Sequence, residues 1–128
     1  MGTRSTVKFY DSANDSQPIL SVYQQFDGYI SGVGHELANF LKNKKIINGI
    51  SGQTMKEGFA NGMGCLAAQY VAELKTEIGG FYMTTADDKQ EYNYCVRFVD
   101  GKLLISVDDF FSGTPDELLV FEENTDEE

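Results

Sequence analysis

Apolar and polar residues alternate most regularly near the end of the chain, on both sides of Asp100-Gly101. An Asp-Gly pair suits a two-residue type I′ turn, so we predict a hairpin of strands 91–99 and 102–108. Closing the turn there places six apolar side chains on one face, in the pairs Phe98 with Leu103, Val96 with Ile105, and Tyr94 with Val107. A slip of one residue would turn this face to water, so the pattern also predicts the register.

A helical period replaces the alternation between Asn61 and Phe81. Apolar residues recur there at spacings of three and four, which predicts one buried helix face: Met63, Leu66, Ala67, Tyr70, Val71 and Leu74. Gln69 falls outside this stripe. We expect Asn61 to cap the helix with its side chain and Gly79-Gly80 to end it in the left-handed conformation. A strand should begin at Phe81.

Two strands and a first helix are predicted in the N-terminal third. Strand 4–10 alternates, with Ser5, Val7 and Phe9 facing the core and Arg4, Thr6 and Lys8 facing water. Strand 19–26 pairs with it antiparallel, stops at Asp27-Gly28, and has Leu20, Val22 and Phe26 on one face. Helix 32–42 has Ser31 as its expected cap and the apolar stripe Val33, Leu37, Phe40 and Leu41. Segment 45–58 shows no sustained period and is left unassigned.

The motif Thr114-Pro115-Asp116-Glu117 is a capping box with Pro at the first helical position, and predicts a short helix up to Phe121. Two amphipathic helices need an apolar sheet face to cover. The predicted fold is therefore α+β, a mainly antiparallel sheet of about five strands with two helices packed on one face and a short C-terminal helix. The opposite face would meet solvent or another subunit, and it carries Arg4, Lys8, Asn93 and Arg97.

The chain of 128 residues, 41% of them hydrophobic, fits one domain. We place that domain at residues 1–121 and interpret 122–128 as an acidic, frayed tail. The net charge is −10, but seven of the acids follow residue 112 without any Lys or Arg, which leaves 13 acids and 10 bases elsewhere. Such a charge argues against nucleic acid as a partner, because affinity for phosphates comes mainly from Lys and Arg.

Hydropathy and cysteine content indicate a cytoplasmic protein. No stretch approaches the roughly 18 consecutive apolar residues of a membrane-spanning helix, and the first residues lack the apolar region of a secretory signal. We therefore expect no membrane association. Cys65 and Cys95 do not form a disulfide framework, which favours a reducing compartment. A zinc site needs about four ligands, so we expect no metal and no cofactor.

Two short segments are candidate ligand sites. Asn61-Gly62-Met63-Gly64 precedes a helix whose free N–H groups could hold an anion, with Asn61, Gly62 and Gly64 as the binding residues. The segment lacks the Lys of a P-loop, and its glycines could equally serve close helix packing. Asp27 and Tyr29 form the second candidate, a turn with an exposed aromatic ring. A simple corner between strand and helix explains that turn as well.

A nucleophilic cysteine is the one enzymatic alternative. Cys65 falls in the first turn of its predicted helix, where the dipole favours a thiolate, and His35 could serve as the base. A packed, unreactive cysteine is the competing interpretation.

The segments TRSTVKFY, YQQFDGY, GVGHELANFL, NGMGCLAAQYVAELK and GGFYMTT together resemble a family of small, largely uncharacterised proteins of tailed phages and prophage regions. The resemblance implies an accessory role in the host cytoplasm and assigns no site residue. We therefore expect a non-enzymatic binding protein that self-associates and either blocks a host protein or sequesters a small anionic molecule. The alternatives are a small hydrolase using Cys65 and a structural or assembly component of the phage.

Overall fold

A computed structural model describes residues 2–49 and 52–121. Its elements are β1 Ser5–Phe9, β2 Leu20–Gln24, α1 His35–Leu41, β3 Lys45–Ile47, β4 Phe59–Asn61, α2 Gly62–Leu74, β5 Phe81–Met83, β6 Tyr92–Val99, β7 Lys102–Val107, β8 Phe111–Gly113 and α3 Pro115–Val120. A π-helical turn, Ile30–Gly34, leads into α1, and a 3-10 turn, Met55–Glu57, precedes β4. The predicted tail, 122–128, lies outside the described residues.

The main sheet has six strands in the order β5-β2-β1-β6-β7-β8. Only β1 and β6 pair in parallel, and the other neighbours are antiparallel. The predicted α+β fold with a mainly antiparallel sheet is confirmed, with one strand more than the five expected. The extra strand, β8, has three residues, too few to show an alternation. In the unassigned segment, β3 and β4 form a separate two-stranded parallel sheet.

The predicted hairpin is confirmed in turn and register. Asp100 and Gly101 have φ angles of 50° and 79°, which a type I′ turn requires. The cross-strand pairs are those predicted, Phe98 with Leu103, Val96 with Ile105, and Tyr94 with Val107. Five of these six side chains are buried and Phe98 is partly buried, so the burial of one face has selected the register.

Both longer helices pack on the apolar face of the sheet, as predicted. The ring of Tyr70 in α2 lies 5.2 Å from that of Phe9 in β1 and 5.3 Å from that of Phe40 in α1, between ring centroids. The predicted stripes of both helices enter this core, including Leu37, Leu41 and Leu66. The short helix α3 is confirmed too, with its capping box: Glu117 N donates to Thr114 Oγ1, and Thr114 N donates to Glu117 Oε1.

Helix α2 begins where predicted, with Asn61 at the N-cap position, but the predicted capping bond and the predicted C-terminal end are wrong. Asn61 makes no capping bond, because its Oδ1 accepts from the backbone N–H of Gly49 at 2.8 Å. The helix ends at Leu74, before Gly79-Gly80, and the extended backbone of Lys75 begins a loop. Gln69, which was predicted to lie off the buried stripe, is buried, and its Nε2 donates to the Phe59 carbonyl of β4.

The helix in the N-terminal third starts at the π-helical turn and not at Gly32, and Ser31 does not cap it. Backbone carbonyls accept hydrogen bonds from its first N–H groups instead. Gly32 N donates to Tyr29 O at 2.9 Å, and Val33 N donates to Asp27 O at 2.7 Å. Phe26 was predicted to face the core, but β2 ends two residues earlier and Phe26 is 57% exposed.

The other face of the sheet is not the wet surface that the alternation predicted. Thr6 and Lys8 are buried, and Lys8 Nζ donates to the Asp88 carbonyl at 2.7 Å. Arg97 stacks on Tyr10 and donates to the Ala13 and Asp15 carbonyls. Segments 11–18 and 84–91 thus supply the hydrogen-bond acceptors that water was expected to supply. A polar strand face that loops cover looks the same in sequence as one that water covers.

Candidate functional site

An open groove of about 510 Å³ lies between α1, with its preceding π-helical turn, and the segment that follows α2. Its walls come from two stretches far apart in sequence, 26–39 and 74–81, and Gln24 at the end of β2 also lines it. The volume is within the range of about 300–1,000 Å³ that is typical of small-molecule sites. Polar side chains from both walls converge here, which makes this groove the candidate functional site.

Gln24 is a polar side chain at an inward-facing position of β2 and is only 6% exposed. Its Nε2 donates to the Tyr70 hydroxyl at 2.8 Å, and burial raises the pKa of Tyr70 so far that the hydroxyl stays protonated. No described residue donates to Gln24 Oε1. Ser5 Oγ is the one side-chain N or O atom of the described residues that is fully enclosed without a partner. Gln24 Oε1 therefore reaches open space, and the groove is the opening that this side chain lines.

Two carboxylates, those of Asp27 and Glu36, line this side of the groove. Asp27 has a left-handed backbone, with φ 57°, and its Oδ1 accepts from the Tyr29 hydroxyl at 2.9 Å. Glu36 lies in the first turn of α1 and accepts no hydrogen bond from a described residue. Partial burial raises the pKa of Glu36, and the negative charge of Asp27 adds to this effect. The pair is thus a small concentration of negative charge with unused acceptor oxygens.

Lys75 organises the opposite wall. Its Nζ donates to the carbonyls of Gly79 and Phe81, at 3.2 and 2.8 Å, and lies 5.5 Å from the ring centroid of Tyr82. These bonds draw the segment after α2 into a closed loop along the groove. Three acids and one lysine line the groove, together with His35. With three acids and one lysine, the lining carries more negative than positive charge, and the ammonium of Lys75 already binds the loop.

The structure separates the two sites that the sequence suggested. Asp27 lines the groove and is hydrogen-bonded to Tyr29. Asn61, Gly62 and Gly64 lie at the other end of α2, about 18 Å along the helix axis at 1.5 Å per residue. Gly62 has a φ of 84°, and Gly64 borders a different, apolar depression beside Ile19 and Met83. The Asn61 side chain is engaged with Gly49.

The cysteine and histidine of the enzymatic alternative lie in different surroundings. The Cys65 sulfur is partly buried and is 3.6 Å from Gln69 Nε2. His35 lines the polar groove, which Cys65 does not border. Within residues 2–49 and 52–121, no group of three or more His, Cys, Asp or Glu is arranged to hold a metal ion.

The residues that the sequence analysis missed are Gln24, Glu36 and Lys75. One signal was available for Gln24: it follows Leu20 and Val22 at the same alternating positions, so it is a polar residue on an otherwise apolar face. Glu36 and Lys75 gave no such signal, because each is an ordinary charged residue near a helix end.

A second concave surface of about 380 Å³ lies where the C-terminal end of α1 meets the hairpin turn and the start of α3. We call it the lysine groove, after Lys42, Lys44, Lys45 and Lys102, which line it with a single acid, Asp116. Its remaining lining is largely apolar and includes Phe98 and Leu103. It therefore contrasts in charge with the polar groove.

Comparisons of this chain with protein-family models, with curated proteins and with solved structures gave no match. Among the helices of the described ranges, none has the length and apolar character needed to cross a membrane.

Proposed function

We propose that this protein is a non-enzymatic binding protein that sequesters a small molecule in the polar groove, in an accessory role in the cytoplasm of a phage-infected cell. The phage setting rests on the resemblance of its sequence segments to small phage and prophage proteins. The binding role rests on the groove. A concave site with a few convergent polar groups and a carboxyl of perturbed pKa is the usual form of a ligand site.

The observation that carries the proposal is the side chain of Gln24. Gln24 is nearly buried, yet its Oε1 accepts no hydrogen bond from a described residue and is not fully enclosed, so the groove presents this acceptor to a ligand. The Nε2 of Gln24 pairs with the buried hydroxyl of Tyr70 at 2.8 Å, which leaves Oε1 as the free acceptor of this side chain. A ligand in the groove that carries a hydrogen-bond donor would pair with this oxygen.

Retention of small molecules from a cell extract tests this function. After equilibrium dialysis against the extract, mass spectrometry should find at least one compound bound to the native protein. Asn39 is exposed and lines the groove, so Asn39→Trp should fill part of it and reduce retention at least tenfold. Ala72→Trp is the matched control, because Ala72 is exposed on α2 away from the groove, and it should retain the compound normally.

The proposal fails if the native protein retains nothing, or if Asn39→Trp retains the compound as well as the native protein and Ala72→Trp do. Circular dichroism of all three proteins would verify that each is folded.

The lysine groove supports a second candidate function, the binding of a small anionic molecule with an apolar body. Four lysines with one acid form a local positive field in an otherwise acidic protein. Two of them are held over aromatic rings, Lys44 over Phe40 at 4.5 Å and Lys45 over Phe59 at 5.2 Å. The apolar floor would receive the body of the ligand while the ammonium groups meet its charge.

Titration with 1-naphthyl phosphate tests this second function. We expect saturable binding by calorimetry, which the double substitution Lys42→Ala and Lys102→Ala weakens about fivefold or more, since each lost exposed ion pair contributes up to about 1 kcal/mol. Lys56→Ala removes one exposed lysine outside the groove and should bind like the native protein. Equal affinity of the double variant and the native protein would refute the site.

A further inference from the structure

The polar groove presents hydrogen-bond acceptors and negative charge to whatever enters it. Gln24 Oε1 and both Glu36 oxygens accept nothing from the described residues, and Asp27 uses one oxygen, Oδ1, for Tyr29. The one lysine that lines the groove directs its ammonium to the carbonyls of Gly79 and Phe81. An anion would meet repulsion from the three acids of the lining, and a ligand with only acceptors would not pair with Gln24 Oε1.

The like charges of Asp27 and Glu36 also favour a positively charged ligand. Desolvation raises the pKa of Glu36, and the negative charge of Asp27 adds to this effect. A positive group between them would convert this repulsion into two attractions.

An exposed aromatic ring borders the same space. Phe26 is 57% exposed and lines the groove, an unfavourable position for a large apolar side chain beside polar groups. The face of a phenyl ring attracts a cation within about 6 Å of its centroid. Phe26 therefore fits a cationic ligand better than it fits a neutral polyol or an anion.

We propose that the ligand of the polar groove is a small organic cation carrying N–H donors, an amine or a guanidinium. One N–H donates to Gln24 Oε1, the positive charge lies between Glu36 and Asp27, and Phe26 covers the outer side. The inference rests on the proposed function, because it names the chemistry of the molecule that this groove sequesters.

Four probes of similar size separate charge from hydrogen bonding: butylguanidinium, butylammonium, butyramide and butyrate. We expect the two cations to shift the side-chain amide resonance of Gln24 and the backbone amide resonances of residues 32–39 in NMR spectra at low ionic strength. Butyramide, which has donors without charge, should bind at least fivefold more weakly, and butyrate should not bind.

Substitution of Glu36 tests whether its carboxylate contributes to binding of the cation. Glu36→Gln should weaken binding of the cations about fivefold, the effect of losing an interaction of about 1 kcal/mol. The control is Glu73→Gln, which makes the same change of net charge at an exposed position of α2 outside the groove. Glu73→Gln should bind the cations like the native protein.

The inference is overturned if butyramide or butyrate binds as tightly as the cations, if Glu36→Gln and Glu73→Gln bind alike, or if none of the probes shifts the groove resonances. The extract experiment separates this outcome from failure of the proposed function. A compound lost only by Asn39→Trp that is neutral or anionic would refute the cation and keep the binding role. Absence of any such compound would refute both.

Discussion

Replacing Tyr70 by Ala should lower the free energy of unfolding by about 3–5 kcal/mol, the usual cost of truncating a large buried side chain. Tyr70 is fully buried, and its ring contacts those of Phe9, Phe40 and Phe81 at centroid distances of 5.2, 5.3 and 5.9 Å. It therefore links the sheet to both longer helices. Urea denaturation at 25 °C followed by circular dichroism measures the change.

Tyr70→Phe is the matched control, because it keeps the ring and removes only the hydroxyl. That hydroxyl accepts from Gln24 Nε2, so its loss leaves a buried donor unpaired and should cost about 1–3 kcal/mol. The expected order of stability is native, Tyr70→Phe, Tyr70→Ala. A cost below about 1 kcal/mol for Tyr70→Ala, outside the range for a packed core residue, would contradict the aromatic cluster.

Gly32→Ala should destabilise the protein by about 2–3 kcal/mol, which is the upper part of the range for overpacking. A Cβ at Gly32 would collide with the Asp27 carbonyl oxygen and lie 2.9 Å from Asp27 Cβ. Asp27 has little freedom to move away from this Cβ, because its carbonyl accepts from Val33 N at 2.7 Å and its backbone is left-handed. Thermal and urea denaturation measure the loss. Any displacement of Asp27 should also weaken ligand binding in the polar groove.

Gly64→Ala provides the contrasting glycine substitution. Gly64 lies in α2 and is exposed, and a Cβ there would have no neighbour within 4 Å. Alanine is favoured over glycine in a helix by about 0.5–1 kcal/mol, so this variant should be slightly more stable than the native protein. If the two alanine variants changed stability in the same direction, the close approach at Gly32 would be contradicted.

The sequence best predicted the structural features that depend on a few neighbouring residues. The Asp100-Gly101 turn, the hairpin register and the capping box at Thr114 were all predicted correctly. The buried stripes of both long helices were also recognised, because helical periodicity is a property of consecutive residues. These elements and the single apolar sheet face were enough to predict the α+β architecture.

The capping bond of Asn61 and the polar sheet face were predicted wrongly for a common reason. Asn61 is a good capping residue by type, yet its side chain serves Gly49, which only the pairing of β3 with β4 brings near. Lys8 alternates with apolar residues as a surface residue would, yet segment 84–91 supplies a carbonyl for its ammonium. In each case the competing partner is distant in sequence.

The candidate site was the least predictable part. Asp27 and Tyr29 were predicted as a site from their turn, and of the two only Asp27 lines the groove, together with Gln24 from β2, Glu36 from α1 and Lys75 after α2. In the sequence, Gln24 was a local sign of the groove, because it is a polar residue at an inward-facing position of β2.

By itself, the sequence determined which segments become helices and strands, which of their faces are apolar and how the hairpin pairs, because these follow from turn geometry and from periodicity over a few residues. Only the tertiary structure decided which polar groups lose water and which side chains meet in the groove. Those outcomes depend on hydrogen bonds and charges between segments tens of residues apart, and no local pattern records which distant carbonyl or carboxylate a side chain will meet.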